Sequence, residues 1–270
     1  MTPGARLREL MSRGTVVAPF IFDAVQAKLA EAAGFEAVYM SGFGTAASYG
    51  LPDLGLIGLA EMSSNAARIA AAVGVPVIAD ADTGYGNETN VARTVEVYER
   101  AGVAALHIED QESPKRCGFL EGKRVIPREE MVLKVKAAVA ARRDPGLVII
   151  GRTDAIQPNG WEDAMGRARA YREAGADLVF VDGLKTREMV ERAARDLRDI
   201  PQLVSTWLIT GDEARTMGFA VYIHLGVMLR HFADFAETLR ELRTTGQVTL
   251  DVGAATVEPI TGLLSGKPAG

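Results

Sequence analysis

The sequence predicts an α/β fold: one (β/α)8 TIM-type barrel taking up residues 1–270 as a single domain. Three observations carry that expectation. Short apolar runs alternate with helical patterns along the chain. Eight such runs fall within roughly 250 residues, the usual length of a closed barrel. Several helical patterns end in a glycine just before the next run: Ala33-Gly34-Phe35, Val73-Gly74-Val75, Ala101-Gly102-Val103, Ala174-Gly175-Ala176 and Met217-Gly218-Phe219. Glycine there closes a helix through a left-handed turn. An open doubly wound sheet is the alternative for the same alternation.

Residues 1–13 read as a short amphipathic helix, without the continuous apolar core of a signal peptide. The strands are expected at 16–20, 37–41, 77–82, 105–109, 148–152, 178–182, 202–205 and 220–224. The helices between them are expected at 24–33, 59–73, 91–101, 128–142, 161–174, 187–197 and 211–217. A last helix spans 227–244, with Arg230, Glu237, Arg240 and Glu241 on its polar positions. The tail from 245 to 270 is rich in Gly, Thr and Pro but carries Val248, Leu250, Val252 and Val257. It is either a loosely packed extension or a segment that needs a partner subunit.

Composition narrows the function. Apolar residues make up 48% of the chain and charged residues 24%, ordinary for a globular protein. A net charge of −5, with no basic run, argues against nucleic acid. Cys117 is the single cysteine, so no intrachain disulfide forms and a reducing, cytoplasmic setting is expected. No apolar run is long enough to cross a membrane.

In a barrel of this kind the chemistry sits at the C-terminal ends of the strands. Asp80 and Asp82 close the third strand, followed by Gly84 and Gly86. On an extended backbone, residues two apart share a face. Paired carboxylates repel unless a positive group lies between them, and a hard divalent cation meets that need. The competing reading is a solvated, Asp-rich turn. His107 and Glu109 share the inner face of strand four; Glu109 would add a third oxygen, and His107 reads as a hydrogen-bonded core histidine. Strand one ends near Asp23, and Asp53 lies in the loop after strand two. Ser41 and Gly42 end strand two in a turn that holds an anion or is a plain glycine turn. Arg152 ends strand five, placed to hold a substrate anion or to pair with Asp154 or Glu109. Asp182, Ser205 and His224 end strands six, seven and eight.

The loop after strand four is long, as lids often are. It carries Cys117 beside Lys115 and Arg116. Positive neighbours favour the thiolate, which fits proton transfer near neutrality. A covalent role is less favoured, because no histidine lies nearby in sequence to activate the thiol. The alternative is a surface cysteine.

Four motifs in this order resemble a known family: Asp80-Ala81-Asp82-Thr83-Gly84-Tyr85-Gly86, His107-Ile108-Glu109-Asp110-Gln111, Pro114-Lys115-Arg116-Cys117-Gly118 and Arg152-Thr153-Asp154-Ala155. The chain resembles the isocitrate lyase/phosphoenolpyruvate mutase superfamily, in particular its 2-methylisocitrate lyase and carboxyphosphonoenolpyruvate phosphonomutase-like group. The resemblance implies C-terminal helices exchanged between subunits of a homodimer or homotetramer. It implies Mg2+, with Mn2+ as a substitute, held directly or through water by Asp80, Asp82 and Glu109. Ser41, Gly42 and Arg152 would bind an α-oxo or α-hydroxy acid unit, with Asp53 close by. Cys117, on its closing loop with Lys115 beside it, would protonate the leaving enolate. The implied activity is cleavage of a substituted 2-hydroxy carboxylic acid, of the 2-methylisocitrate or dimethylmalate kind, to pyruvate or glyoxylate and a second acid.

The sequence departs from the family pattern where the rest of the substrate is read. Phe119 stands where the lyases continue with histidine, and Asp182 where they carry glutamate. Ser205-Thr206-Trp207-Leu208-Ile209-Thr210 replaces an Asn-Met-x-Glu segment, and His224 a Tyr-Pro sequence. A less polar or differently shaped acid than 2-methylisocitrate is therefore expected. The alternatives are an oxaloacetate-type decarboxylase, a phosphonomutase-like enzyme, and a binding protein that keeps the metal pocket without turnover.

Overall fold

The computed structural model describes residues 1–118, 120–249 and 257–265. Phe119, Leu250 and Val252 lie outside the described residues. Eight parallel strands close a barrel in chain order: β1 (Val16–Ile21), β2 (Val38–Met40), β3 (Val77–Asp80), β4 (Ala105–Glu109), β5 (Val148–Thr153), β6 (Leu178–Val181), β7 (Gln202–Ser205) and β8 (Val221–His224). β8 pairs back onto β1, so no edge is left open. The open-sheet alternative is thereby excluded.

The helices are α1 (Pro3–Arg13), α2 (Ala24–Ala32), α3 (Gly42–Ser48), α4 (Leu59–Ala72), α5 (Glu88–Arg100), α6 (Arg128–Ala141), α7 (Ile156–Asn159), α8 (Trp161–Glu173), α9 (Arg187–Asp196), α10 (Gly211–Thr216), α11 (Gly226–Thr245) and α12 (Val257–Leu264). Each expected strand and helix is present, with shifts at the ends. Three helices were not expected. α3 forms where a glycine turn was expected, because the Ser41 side chain accepts from the Gly44 N–H and starts the helix. α7 is a single turn after β5. α12 folds within the tail and lies against α2.

Side chains alternate strictly along the strands. Val16, Ala18, Tyr39, Ile78, Ala105, Ile150, Phe180, Leu203, Val221 and Ile223 point inward, and Leu7 and Leu10 of α1 join this cluster. Leu106, Ile108 and Ile149 point outward to the helices. The same alternation corrects one expectation. Val221 and Ile223 face inward, so Tyr222 and His224 face out. The His224 ring meets Tyr222 edge-on, at 5.7 Å between centroids, in an open groove shared with Pro19 and Leu208. His224 therefore does not line the cavity at the strand ends. Among the described residues no helix is long and apolar enough to cross a membrane.

Candidate active site

β3 ends at Asp80, one residue pair earlier than the sequence suggests. Asp82 reaches the site through a left-handed turn, with φ +46° at Asp82 and +60° at Tyr85. Aspartate tolerates that region better than most residues, and Gly84 adopts it freely. The turn is held from several sides. Tyr98 donates to the Asp80 carbonyl at 2.8 Å, the Glu109 N–H to Asp82 O at 2.9 Å, and Lys134 to Thr83 O at 3.2 Å. The Asp80 carboxylate accepts from the N–H groups of Gly42 and Asp82, each at 3.0 Å. Burial pushes the Asp80 carboxyl up, but His107, Lys115, Arg152 and the Asp82 N–H outweigh it and hold it at about 2. Asp82 goes the other way, to about 6, because burial and the charges of Asp80 and Asp53 prevail over Lys115.

Glu109 is fully buried at the end of β4, and burial raises its pKa well above the usual range despite Arg152. His107 is the core histidine that was expected. Its Nε2 lies 2.7 Å from the Tyr39 hydroxyl, and burial lowers its pKa to about 4. Arg152 binds Asp154 with two hydrogen bonds, Nε at 2.8 Å and Nη2 at 3.1 Å. It also lies 3.2 Å from Glu109 and 3.3 Å from Asp182, over the Phe180 ring. The internal pairing expected of Arg152 is present, and the guanidinium also lines the cavity. Asp154 is in turn fixed through its N–H by Asp110, a buried carboxylate that also accepts from Thr153, Arg167 and Tyr171.

The loop between β4 and α6 is folded down over these groups. The Lys115 ammonium lies 2.5 Å from Asp53 and 2.8 Å from Asp82. Burial would lower its pKa, but Asp82, Glu109, Asp80 and Asp53 raise it well above the ordinary value. The Cys117 N–H donates to the Asp53 carbonyl at 3.0 Å, and Gln111 brackets Arg116 through its N–H and carbonyl. Cys117 is half-buried and lines the cavity; Arg116 is exposed, and Lys115 points to the carboxylates.

The cavity at the strand ends measures about 340 Å3, at the small end for ligand sites of ~300–1000 Å3. Ser41, Asp53, Asp80, Asp182 and Ser205 line it, while Asp82 and Glu109 lie beneath its floor and Gly42 backs onto Asp80. Phe43, Trp207, Leu225 and Leu229 supply apolar lining. Sequence reasoning missed Tyr39 and Lys123. Tyr39 lies two residues before Ser41 and so shares its inward face, a legible signal. Lys123 sits in an aperiodic loop, where spacing says nothing.

The charge balance suits a cation. Six buried carboxylates (Asp53, Asp80, Asp82, Glu109, Asp154, Asp182) face three buried cations (Lys115, Lys123, Arg152). Asp82 Oδ1, Glu109 Oε2 and Asp182 Oδ2 are buried with only ion-pair contacts, to Lys115 at 2.8 Å and to Arg152 at 3.2 and 3.3 Å. Hard, underbalanced oxygens of this kind fit Mg2+ or Mn2+. Among the described residues no three His, Cys, Asp or Glu side chains converge closely enough to ligate an ion together, so part of the shell would come from water.

Comparison with known proteins agrees with this geometry. The phosphoenolpyruvate phosphomutase family profile matches residues 7–243. The chain is 44% identical to 2,3-dimethylmalate lyase of Eubacterium barkeri over 92% of its length and 90% of the relative's. It is 45% identical to 2-methylisocitrate lyase of Aeropyrum pernix, over 90% and 81%. The solved structure of oxaloacetate acetylhydrolase with the inhibitor 3,3-difluorooxalacetate superposes with a TM-score of 0.91 at 40% identity, covering 97% of this chain and 93% of that one. Fold, site and relatives agree that the chain belongs to the phosphoenolpyruvate mutase/isocitrate lyase superfamily.

Proposed function

We propose that the chain is a divalent-metal-dependent carbon–carbon lyase. It would cleave a substituted 2-hydroxy carboxylic acid of the dimethylmalate or methylisocitrate type, releasing pyruvate or glyoxylate and a second acid. The observation that carries this reading is the placement of Cys117. A loop tied to Asp53 sets the thiol in the lining of a cavity that Arg152, Asp53, Asp80 and Asp182 also line.

Asp80, Asp82 and Glu109 would hold Mg2+ or Mn2+ in part through water. When bound, the ion would polarise the oxygens of the 2-oxo acid unit and balance the surplus carboxylate charge. Arg152 and Ser41 face the cavity and would hold the carboxylate of that unit. In cleavage a carboxylate lining the cavity would accept the hydroxyl proton as the bond between C2 and C3 breaks. The C2 oxygen becomes the new carbonyl, and the bonding electrons pass to C3 and its carboxylate as an enolate. The Cys117 S–H would then return a proton to C3. Lys115, held cationic by four carboxylates, serves as counter-charge and as a lid contact, not as the base. The closed loop keeps water away from the enolate.

The apolar lining favours an alkyl substituent on the leaving acid over a third carboxylate. Both cations that line the cavity, Lys115 and Arg152, are already paired with buried carboxylates. Pyruvate and glyoxylate release across a panel of 2-hydroxy di- and tricarboxylic acids tests this directly. Mg2+-dependent release from an alkylmalate exceeding that from 2-methylisocitrate supports it; the opposite order sinks the substrate assignment. The likeness to oxaloacetate acetylhydrolase favours a second reading, cleavage of a 2-oxo acid. Hydrolysis of such an acid between C2 and C3 also leaves an enolate that needs a proton, so oxalate in place of pyruvate or glyoxylate is what tells the two apart.

The assembly we propose is a homodimer or homotetramer built through α11. Met228, Phe232, Phe235, Leu239 and Leu242 form one stripe on that helix. The stripe starts buried, with Phe232 stacked on Phe22 at 5.5 Å, and runs out to Phe235, 61% exposed. A groove over the outer faces of β1 and β8, lined by Val17, Pro19, Tyr222 and Val227, is left open. The apolar stripe of a second copy's α11 would cover the apolar part of that groove. A single cysteine and small-molecule chemistry support a cytoplasmic setting.

A further inference from the structure

We propose that Lys123 is a positioning residue for Cys117: a latch on the far arm of the lid that pins the Cys117-Gly118 turn to the ends of β5 and β6. Lys123 is only 5% exposed, although it lies on a surface loop between exposed Gly122 and Arg124. Its ammonium group donates to the Gly118 carbonyl at 2.8 Å and to Asp154 Oδ1 at 3.0 Å, and lies 3.5 Å from Asp182 Oδ2. A lysine forfeits rotamer freedom and hydration in such a place. Two carboxylates and a carbonyl return that only while the lid is down.

The near arm of the lid is held by other groups: Lys115 and the Cys117 N–H on Asp53, and Gln111 on Arg116. Past the thiol, among the described residues, Lys123 ties Gly118 to buried groups of the barrel, while Glu121 meets Gln157 and Lys185 at the surface. The fit at Gly118 is close. A methyl group at Gly118 would fall 2.1 Å from Asp182 Oδ2 and 2.9 Å from Arg152 Nη2. A shift of the turn by a fraction of an ångström therefore moves the thiol relative to Arg152.

Asp154 links the latch to the anion site. Its Oδ1 accepts from both Lys123 and Arg152, while Oδ2 accepts from Arg152 Nε. With the lid open, Asp154 and Asp182 would share Arg152 alone. Closing the lid brings in a second positive charge and leaves the guanidinium better able to meet a substrate carboxylate. Lys123 thus couples the posture of the thiol to that of Arg152.

The test uses the full-length enzyme with Lys123→Met, which removes charge and donor, and Lys123→Gln, which keeps a donor for Gly118. Alkylation of Cys117 by iodoacetamide needs no substrate, so it stands apart from the lyase reading; the turnover arm rests on that reading. For Lys123→Met we expect alkylation to rise roughly tenfold at an unchanged melting temperature, since only the lid opens. We expect kcat to fall ~100-fold with KM changed less than about threefold, the signature of a misplaced group at the chemical step. Lys123→Gln should fall between wild type and Lys123→Met in both readouts. Alkylation and kcat within twofold of wild type in both variants would overturn the proposal. Should Lys123→Met fail to fold, wild-type alkylation in Lys123→Gln alone would overturn it. Loss of turnover with alkylation unchanged would also overturn it, because Lys123 would then act on substrate and not through the lid.

Discussion

Lys115 Nζ lies 2.5 Å from Asp53 Oδ1, which ties the loop after β4 to the loop after α3. The Cys117 N–H bonded to the Asp53 carbonyl makes the same join through the backbone. Asp53→Asn should weaken the ionic half and leave the backbone half in place. We expect kcat/KM to fall by about 10- to 100-fold, as for a group misplaced by part of an ångström. Steady-state kinetics beside the melting temperature checks this; wild-type turnover would mean that the lid closes without Asp53.

Gly118 should accept no side chain. A Cβ there meets Asp182 Oδ2 at 2.1 Å and Arg152 at 2.9 Å. Gly118→Ala should therefore hold the lid open, lowering kcat by ~100-fold and leaving the melting temperature close to wild type. A variant that turns over normally would show that the lid docks elsewhere during catalysis.

Asp163 gives a pH signature away from the site. It accepts from Arg128 at 2.6 Å, Arg167 at 2.6 Å and Asn159 at 2.8 Å. Burial pushes its pKa up, but those three partners bring it down to about 2. A pKa lowered in the folded state gives stability that is present above about 4 and is lost as pH falls toward 2. Asp163→Asn should lower the melting temperature at pH 7 by about 2–4 °C, and the gap should close between pH 4 and pH 2. A gap constant with pH would contradict this.

The α11 stripe predicts the assembly. Phe235 and Leu239 are 61% and 50% exposed. A Phe235→Glu, Leu239→Glu variant should shift light-scattering mass toward the 28.8 kDa monomer while the isolated barrel stays folded. An unchanged oligomer would exclude this helix from the interface.

Period-two alternation made much of the site legible. It set His107 and Glu109 on the inner face of β4, and Leu106 and Ile108 on the outer. It ran out at Asp82, whose left-handed backbone ends the strand geometry that the reading assumed. His224 was assigned to the cavity because it ends a strand; parity with Val221 and Ile223 turns it outward. Asp182 carries on the barrel ladder, its N–H bonded to Thr153 O at 2.9 Å, and so fell where expected. Lys123 was not legible, because its partners lie 31 and 59 residues away across the barrel and only the folded loop brings them together. The helix at 227–244 was legible with its polar positions, but not how far its apolar stripe is exposed.

The central claim is proton delivery by Cys117 to an enolate made by carbon–carbon cleavage. Its most direct test is Mg2+-dependent release of pyruvate or glyoxylate by wild type and Cys117→Ser, across 2-hydroxy acids and oxaloacetate. The account predicts release from a substituted 2-hydroxy acid that falls by at least about 100-fold in the variant and disappears in both proteins with chelator. Release from oxaloacetate alone, equal in the two proteins, would contradict it and make Cys117 a bystander.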